Sequence, residues 1–289
     1  MQIQWFPGHM AKTARLIADN LKLTDVVIEI ADARIPVSSR NPYLAKLLGN
    51  KPRVLVLNKA DLADPAVNSL WKKRYAKEGK QVVFVNSRDE KVWKSVMESV
   101  EEALKELLLR RAEKNMQGKP IRMMITGIPN VGKSTFINNL SGRASAKTGD
   151  RPGVTTGKQW VTLRNGYELL DTPGMLWQKF EGENEGLHLA FTGAIRDTVV
   201  DAEELAVALL IFLRDNYPEA LRERYRIENA EDMDGYELLC AVAEARNFRI
   251  RGGEPDTERA AQIVMDECRG AKLGRISFEK PGEKEGNEA

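Results

Sequence analysis

Short apolar runs alternate with stretches of helical periodicity up to Asp171, and beyond that point only the helical period continues. Residues 9–23 place Met10, Ala14, Ile17, Ala18 and Leu21 on one face, which predicts a helix. Residues 26–31 then predict a buried strand, followed by the polar loop Asp32-Ala33-Arg34-Ile35-Pro36-Val37-Ser38-Ser39-Arg40. A short helix over 42–48 is stopped by Gly49-Asn50, and a second strand is expected over 53–57. Helical spacing over 63–78 ends at Gly79, with a third strand at 81–85. Val92, Trp93, Val96, Met97, Val100, Leu104, Leu107 and Leu108 share one stripe, predicting a single long amphipathic helix over 92–111. A strand at 121–126, a helix over 134–140 and a hairpin of 159–163 with 167–171 around Asn165-Gly166 complete the pattern. Strands alternating with helices in this way predict a doubly wound α/β sheet.

Beyond about Gly182, the segments 205–213, 221–225, 236–245 and 258–268 all carry helical patterning. Gly252-Gly253-Glu254-Pro255 punctuates them, with Asp256 or Thr257 as a helix cap. The expected organisation is an α/β domain over residues 1–181, an all-helical C-terminal domain over 182–278, and a disordered tail over 279–289 rich in Glu, Lys and Gly.

Composition narrows the class. With 289 residues and 42% hydrophobic positions the chain can build a sizeable core in about two domains. A net charge of only +2 means that any nucleic-acid surface must be local. There is no apolar run of about eighteen residues to span a membrane, and the N-terminus lacks the pattern of a signal peptide. Cys240 and Cys268 are too few for a disulfide framework or a zinc site, so a cytoplasmic protein is expected.

Gly127-Ile128-Pro129-Asn130-Val131-Gly132-Lys133-Ser134 fits the phosphate-loop pattern G-x-x-x-x-G-K-[ST], between an expected strand and an expected helix. Glycines there let backbone N–H groups turn towards a polyphosphate, and the helix N-terminus adds partial positive charge. Asn130, Val131, Gly132, Lys133, Ser134 and Thr135 are the expected phosphate cradle, with Lys133 reaching the β- and γ-phosphates and Ser134 holding Mg²⁺.

Asn58-Lys59-Ala60-Asp61 follows the second strand. The Asp61 carboxylate can accept parallel hydrogen bonds from guanine N1–H and the 2-amino group, a pair that adenine does not offer. Asn58, Lys59 and Ala60 would brace and cover the base, and Asn86-Ser87 after the third strand can bring N–H groups to guanine O6. Alone, N-K-x-D is a weak match; at the carboxyl end of a strand it lies where open α/β sheets bind ligands. Asp171-Thr172-Pro173-Gly174 ends the last strand, where Asp171 can support Mg²⁺ and the Gly174 N–H can sense the γ-phosphate. In Pro152-Gly153-Val154-Thr155-Thr156 either threonine could supply a hydroxyl to Mg²⁺, and Thr155 is favoured.

This set resembles the translation-factor-related P-loop GTPases, but with Asn58–Asp61 and Ser87 ahead of Gly127–Ser134, Thr155 and Asp171–Gly174. That order is the circularly permuted one, so the resemblance implies a Ras-like sheet in permuted order. Trp5-Phe6-Pro7-Gly8-His9-Met10, Asp32-Ala33-Arg34-Ile35-Pro36 and Ser39-Arg40-Asn41-Pro42 are similar to the bacterial GTPases of ribosome biogenesis. The resemblance implies GTP hydrolysis late in large-subunit assembly. It also implies that the partners are the large ribosomal subunit precursor and its rRNA, contacted by the helical domain; a monomer is expected. Rival readings are a GTP-gated rRNA-binding module that hydrolyses only for release, and a GTPase of RNA modification or envelope regulation.

A glutamine that orients water often follows this D-x-x-G segment, but Met175 and Leu176 stand here. The resemblance gives the catalytic role to His9, beside Lys133 and Thr155, whereas His188 reads as a packing residue at the domain junction. In related potassium-dependent GTPases an asparagine at the place of Asn130 helps to hold K⁺, so K⁺ is expected beside Mg²⁺. Local basic clusters are Arg143, Lys147, Arg151, Lys158 and Arg164 around Trp160, then Arg222, Arg224 and Arg226, then Arg246, Arg249 and Arg251. The segment after Gly174 runs directly into the helical domain, so nucleotide state is expected to tilt that domain.

Overall fold

A computed structural model of the chain describes residues 10–116, 118–142, 159–172, 174, 176, 184–195 and 200–282. Helix α1 (Met10–Leu21) leads into strand β1 (Val26–Asp32), helix α2 (Pro42–Leu48) and strand β2 (Arg53–Asn58). Helix α3 (Pro65–Lys77), strand β3 (Val82–Phe84) and helices α4 (Val92–Ala103) and α5 (Lys105–Glu113) follow. Strand β4 (Ile121–Gly127) and helix α6 (Lys133–Ser141) flank the glycine loop, and strands β5 (Gln159–Thr162) and β6 (Tyr167–Asp171) close the sheet. The remaining helices are α7 (Glu185–Phe191), α8 (Ala202–Asn216), α9 (Pro218–Tyr225), α10 (Gly235–Ala245) and α11 (Thr257–Arg269).

The helix starts follow local chemistry. Asn41 caps α2 and Asp64 caps α3, each accepting two N–H groups just ahead of a proline that has no N–H to leave unpaired. Asp234 and Glu237 form a capping box on α10. The hairpin turn between β5 and β6 is made by Asn165 and Gly166 at φ of 58° and 76°, a left-handed pair that closes a two-strand connection.

The sheet order is β3-β2-β1-β4-β6-β5, parallel except for β5. Every residue of β1 is buried, as a central parallel strand covered on both faces requires. Val26, Ile28 and Ile30 face a core shared with Val96 and Val100 of α4 and Phe136 of α6. On the other face, Val27 packs with Ile17, Leu44 and Leu48, while Ala31 and Leu57 pack with Val67, Trp71 and Tyr75 of α3.

Three expectations change. The single helix over 92–111 is two: Leu104 leaves helical geometry at φ −103°, ψ 8°, while its side chain stays buried. The apolar stripe runs through the break, so periodicity did not reveal it. Helix α7 was not expected. Finally, Glu279 is buried and bonded to the α/β body, so it belongs to the folded chain and not to a tail. Among the described residues, no helix is long and apolar enough to cross a membrane.

Candidate functional site

The five parallel strands all end along one edge of the sheet, and the winding direction reverses between β1 and β4. Loops at such a reversal splay apart and leave a crevice for a ligand. The glycine loop follows β4, and the Asn58–Asp61 loop follows β2 on the far side of β1.

The glycines of the first loop are required by close approach. A Cβ on Gly127, at φ 151°, would lie 2.3 Å from the Ile30 carbonyl oxygen. One on Gly132, at φ 94°, would lie 2.4 Å from Asn58 Nδ2. Gly132 therefore lets α6 start with its N-terminus against the second loop. Lys133 Nζ folds back onto the carbonyls of Gly127 and Ile128 at 3.2 and 2.7 Å. Ser134 and Thr135 stand half-buried in the first turn of α6. Gly174 faces the same loop, since a Cβ there would meet Lys133 Nζ and Pro129 N, each at 2.9 Å.

Asn58 ties the loops together. Its Nδ2 donates to Val131 O at 2.7 Å, and its Oδ1 accepts from Ser87 N at 2.9 Å and Ser87 Oγ at 2.7 Å. Lys59, left-handed at φ 59°, donates from Nζ to Asn130 O at 2.7 Å. Ala60 N donates to Val85 O, and Asp61 next to it is exposed. Asn86 uses its side chain locally, accepting from Arg88 N at 3.0 Å. The Asn130 Nδ2 donates to Gly193 O at 2.7 Å, joining the glycine loop to the helical region.

Sequence reasoning missed the buried pair beneath this site. Asp32 ends β1 and accepts from Arg34 Nε and Nη2 at 3.0 and 2.8 Å, with Lys59 Nζ at 3.1 Å. Burial pushes the Asp32 carboxyl upward, but the charges of Arg34 and Lys59 and the hydrogen bonds from Arg34 outweigh it and hold it far below the usual range. An acid closing an apolar strand, with an arginine two residues on, is the sequence signal that was available.

His9, Thr155 and Met175 lie outside the described residues, as does the side chain of Asp171, whose backbone ends β6. His188 does pack at the junction, 6.0 Å from the Phe278 ring and 3.2 Å from Glu279 Oε1. Of the basic clusters, Arg222 is paired with Glu219 and Glu228. Arg224 and Arg246 converge on Glu267, and Trp160 lies under Arg122 at 5.3 Å.

A Ras-like order of strands, a glycine loop before α6 and an N-K-x-D loop that precedes it in the chain define a circularly permuted P-loop GTPase, and the chain is a GTP hydrolase. A family profile described as "50S ribosome-binding GTPase" matches residues 122–239. Ribosome biogenesis GTPase A of Bacillus pumilus is 46% identical, covering 97% of this chain and 99% of that protein. The Thermotoga maritima protein of the same name is 32% identical over 96% of this chain and 95% of its own length. The solved structures of YlqF from T. maritima, one GNP-bound and one GDP-bound, are 29% identical, with TM-scores of 0.64 and 0.66. They cover 94% and 93% of this chain and are themselves covered completely. The chain belongs to the ribosome biogenesis GTPase A family.

Proposed function

We propose that the chain binds GTP between the Asn58–Asp61 loop and the glycine loop and hydrolyses it on an immature large ribosomal subunit, late in that subunit's assembly. The observation that carries the binding reading is the direct tie between the two loops, Asn58 Nδ2 to Val131 O at 2.7 Å. One bond of this kind fixes the distance between a base-reading carboxylate and a triphosphate cradle, which a nucleotide must bridge. Asp61 takes the guanine edge and Asn86 lies towards O6, whereas Ser87, expected to bring its N–H to O6, spends both its N–H and its hydroxyl on Asn58 Oδ1 and so braces the loop instead. Lys133 swings from its loop carbonyls to the phosphates.

Oxygen donors suit Mg²⁺, and the Ser134 hydroxyl at the first turn of α6 is such a donor. With Thr155 and Asp171 it would hold the ion, which supplies charge neutralisation for the leaving phosphates. Potassium would engage the oxygen edge of the Asn130 amide, whose nitrogen edge is turned to Gly193 O. His9 would act on the attacking water, and the helical domain would meet rRNA in the cytoplasm, the protein working as a monomer. The Asn130–Gly193 bond supports coupling between nucleotide state and the position of that domain.

The test is GTP turnover with and without large subunits, in K⁺ and in Na⁺, for the native protein and for His9→Ala. Stimulation by large subunits that depends on K⁺ and is lost in His9→Ala, with GTP affinity kept, is expected. Stimulation by free RNA or membranes alone would favour the rival pathways. Equal rates in the two salts would remove the potassium site.

A further inference from the structure

Residues 275–279 follow α11 as an extended strap that lies along the loops after β1 and β2. Ile276 N donates to Leu62 O at 3.1 Å, and Phe278 N donates to Arg34 O at 2.9 Å. The Glu279 carboxylate accepts from Val37 N and Ser38 N at 2.7 and 3.0 Å. On its opposite side, Phe278 packs on Phe191 and Phe212 of the helical region, with centroids 5.2 and 5.1 Å apart. The strap is thus held by both parts of the chain.

Its first residue reaches furthest towards the site. Arg275 donates from Nη2 to Ala60 O at 2.9 Å and from Nε to Ala63 O at 3.0 Å, while the rest of the side chain is exposed. Asn68 Nδ2 shares the Ala60 oxygen at 3.1 Å. That carbonyl belongs to the peptide group linking Ala60 to Asp61, so its direction sets the direction of the Asp61 backbone. The loop needs such support because Lys59 sits in the left-handed region at φ 59°, a conformation that is strained for a residue bearing a side chain. A charged donor fixing two carbonyls three positions apart opposes relaxation of that turn.

We infer that Arg275 is a positioning residue for guanine recognition, supplied to the base-reading loop by the C-terminal strap. The inference rests on the assignment of Asp61 as the carboxylate that reads guanine. It also makes strap and nucleotide reciprocal: whatever lifts the strap weakens guanine binding, and bound guanine nucleotide secures the strap.

The test compares Arg275→Ala, Arg275→Lys and Asp61→Ala in the full chain, using GTP and inosine triphosphate, which lacks the 2-amino group. For Arg275→Ala the KM for GTP is expected to rise about fivefold, the equivalent of about 1 kcal/mol, with kcat at saturation unchanged. Its preference for GTP over inosine triphosphate should fall about threefold, because the second bond to Asp61 needs exact alignment. Arg275→Lys, which can reach one carbonyl, should recover part of both losses. If Asp61→Ala abolishes the preference while Arg275→Ala leaves KM and preference unchanged, the inference is overturned and the assignment of Asp61 stands. If kcat and thermal stability fall together in Arg275→Ala with the preference intact, the role is merely structural and the inference is again overturned. If Asp61→Ala keeps the guanine preference, the assignment beneath both fails.

Discussion

Asn58 is the point at which the two halves of the site can be tested as one object. Its side chain is 2% exposed and makes three hydrogen bonds, two with Ser87 and one with Val131 O. At a net contribution of about 1 kcal/mol each, Asn58→Ala should cost about 3 kcal/mol, more if the orphaned Ser87 N and Val131 O stay dry. Ser87→Ala removes only the Oγ bond of 2.7 Å and should cost about 1 kcal/mol. In the double variant that bond is already gone, so the total should remain near 3 and the coupling energy should be about 1 kcal/mol. The assay is urea unfolding of the four proteins, with GDP affinity measured in parallel. Asn58→Asp sharpens the test: it keeps both acceptor bonds to Ser87 but sets a carboxylate against the Val131 carbonyl, so nucleotide affinity should fall although Ser87 stays tied. Fully additive costs, or a loss below about 0.5 kcal/mol for Asn58→Ala, would refute the network as drawn.

Gly132→Ala should abolish nucleotide binding and destabilise the chain by about 2 kcal/mol, since it adds left-handed strain and a Cβ 2.4 Å from Asn58 Nδ2; calorimetric binding and thermal melting check both. Glu267 is held down to about 2, because burial, which would raise it, is outweighed by hydrogen bonds from Arg224 and Tyr225 and by the charges of Arg246 and Arg224. A depressed carboxyl stabilises fully above its unfolded value of about 4.3 and loses that contribution as pH falls towards 2. Glu267→Gln should therefore flatten the decline of stability with acid across that window, as read by unfolding midpoints at successive pH values.

The sheet was legible because each buried strand is a short apolar run stopped by a glycine, an asparagine or an acid, and the phosphate loop because its glycines are spaced by geometry. Leu104 was not legible as a break: its side chain stays in the stripe, and only the backbone turns. Glu279 was read as tail because Glu, Lys and Gly dominate its neighbours, whereas its burial is decided by two N–H groups, those of Val37 and Ser38, far away in sequence. The Asp32–Arg34–Lys59 cluster was hidden for a related reason. Local pattern gives the strand end, but only the parallel pairing of β1 with β2 sets Asp32 opposite Asn58 and brings Lys59 to its carboxylate. The partners of the basic residues in the helical region were hidden in the same way: Arg224 and Arg246 both turn to Glu267 of α11, a pairing that local sequence does not show.

The central claim is that two loops written in permuted order close on one guanine nucleotide. Competition between GTP and ATP for binding to Asp61→Ala tests it most directly. Loss of two hydrogen bonds to a charged group should erase a guanine preference of about a hundredfold or more and bring the two nucleotides towards parity. A variant that still chose GTP over ATP as strongly as the native chain would contradict it.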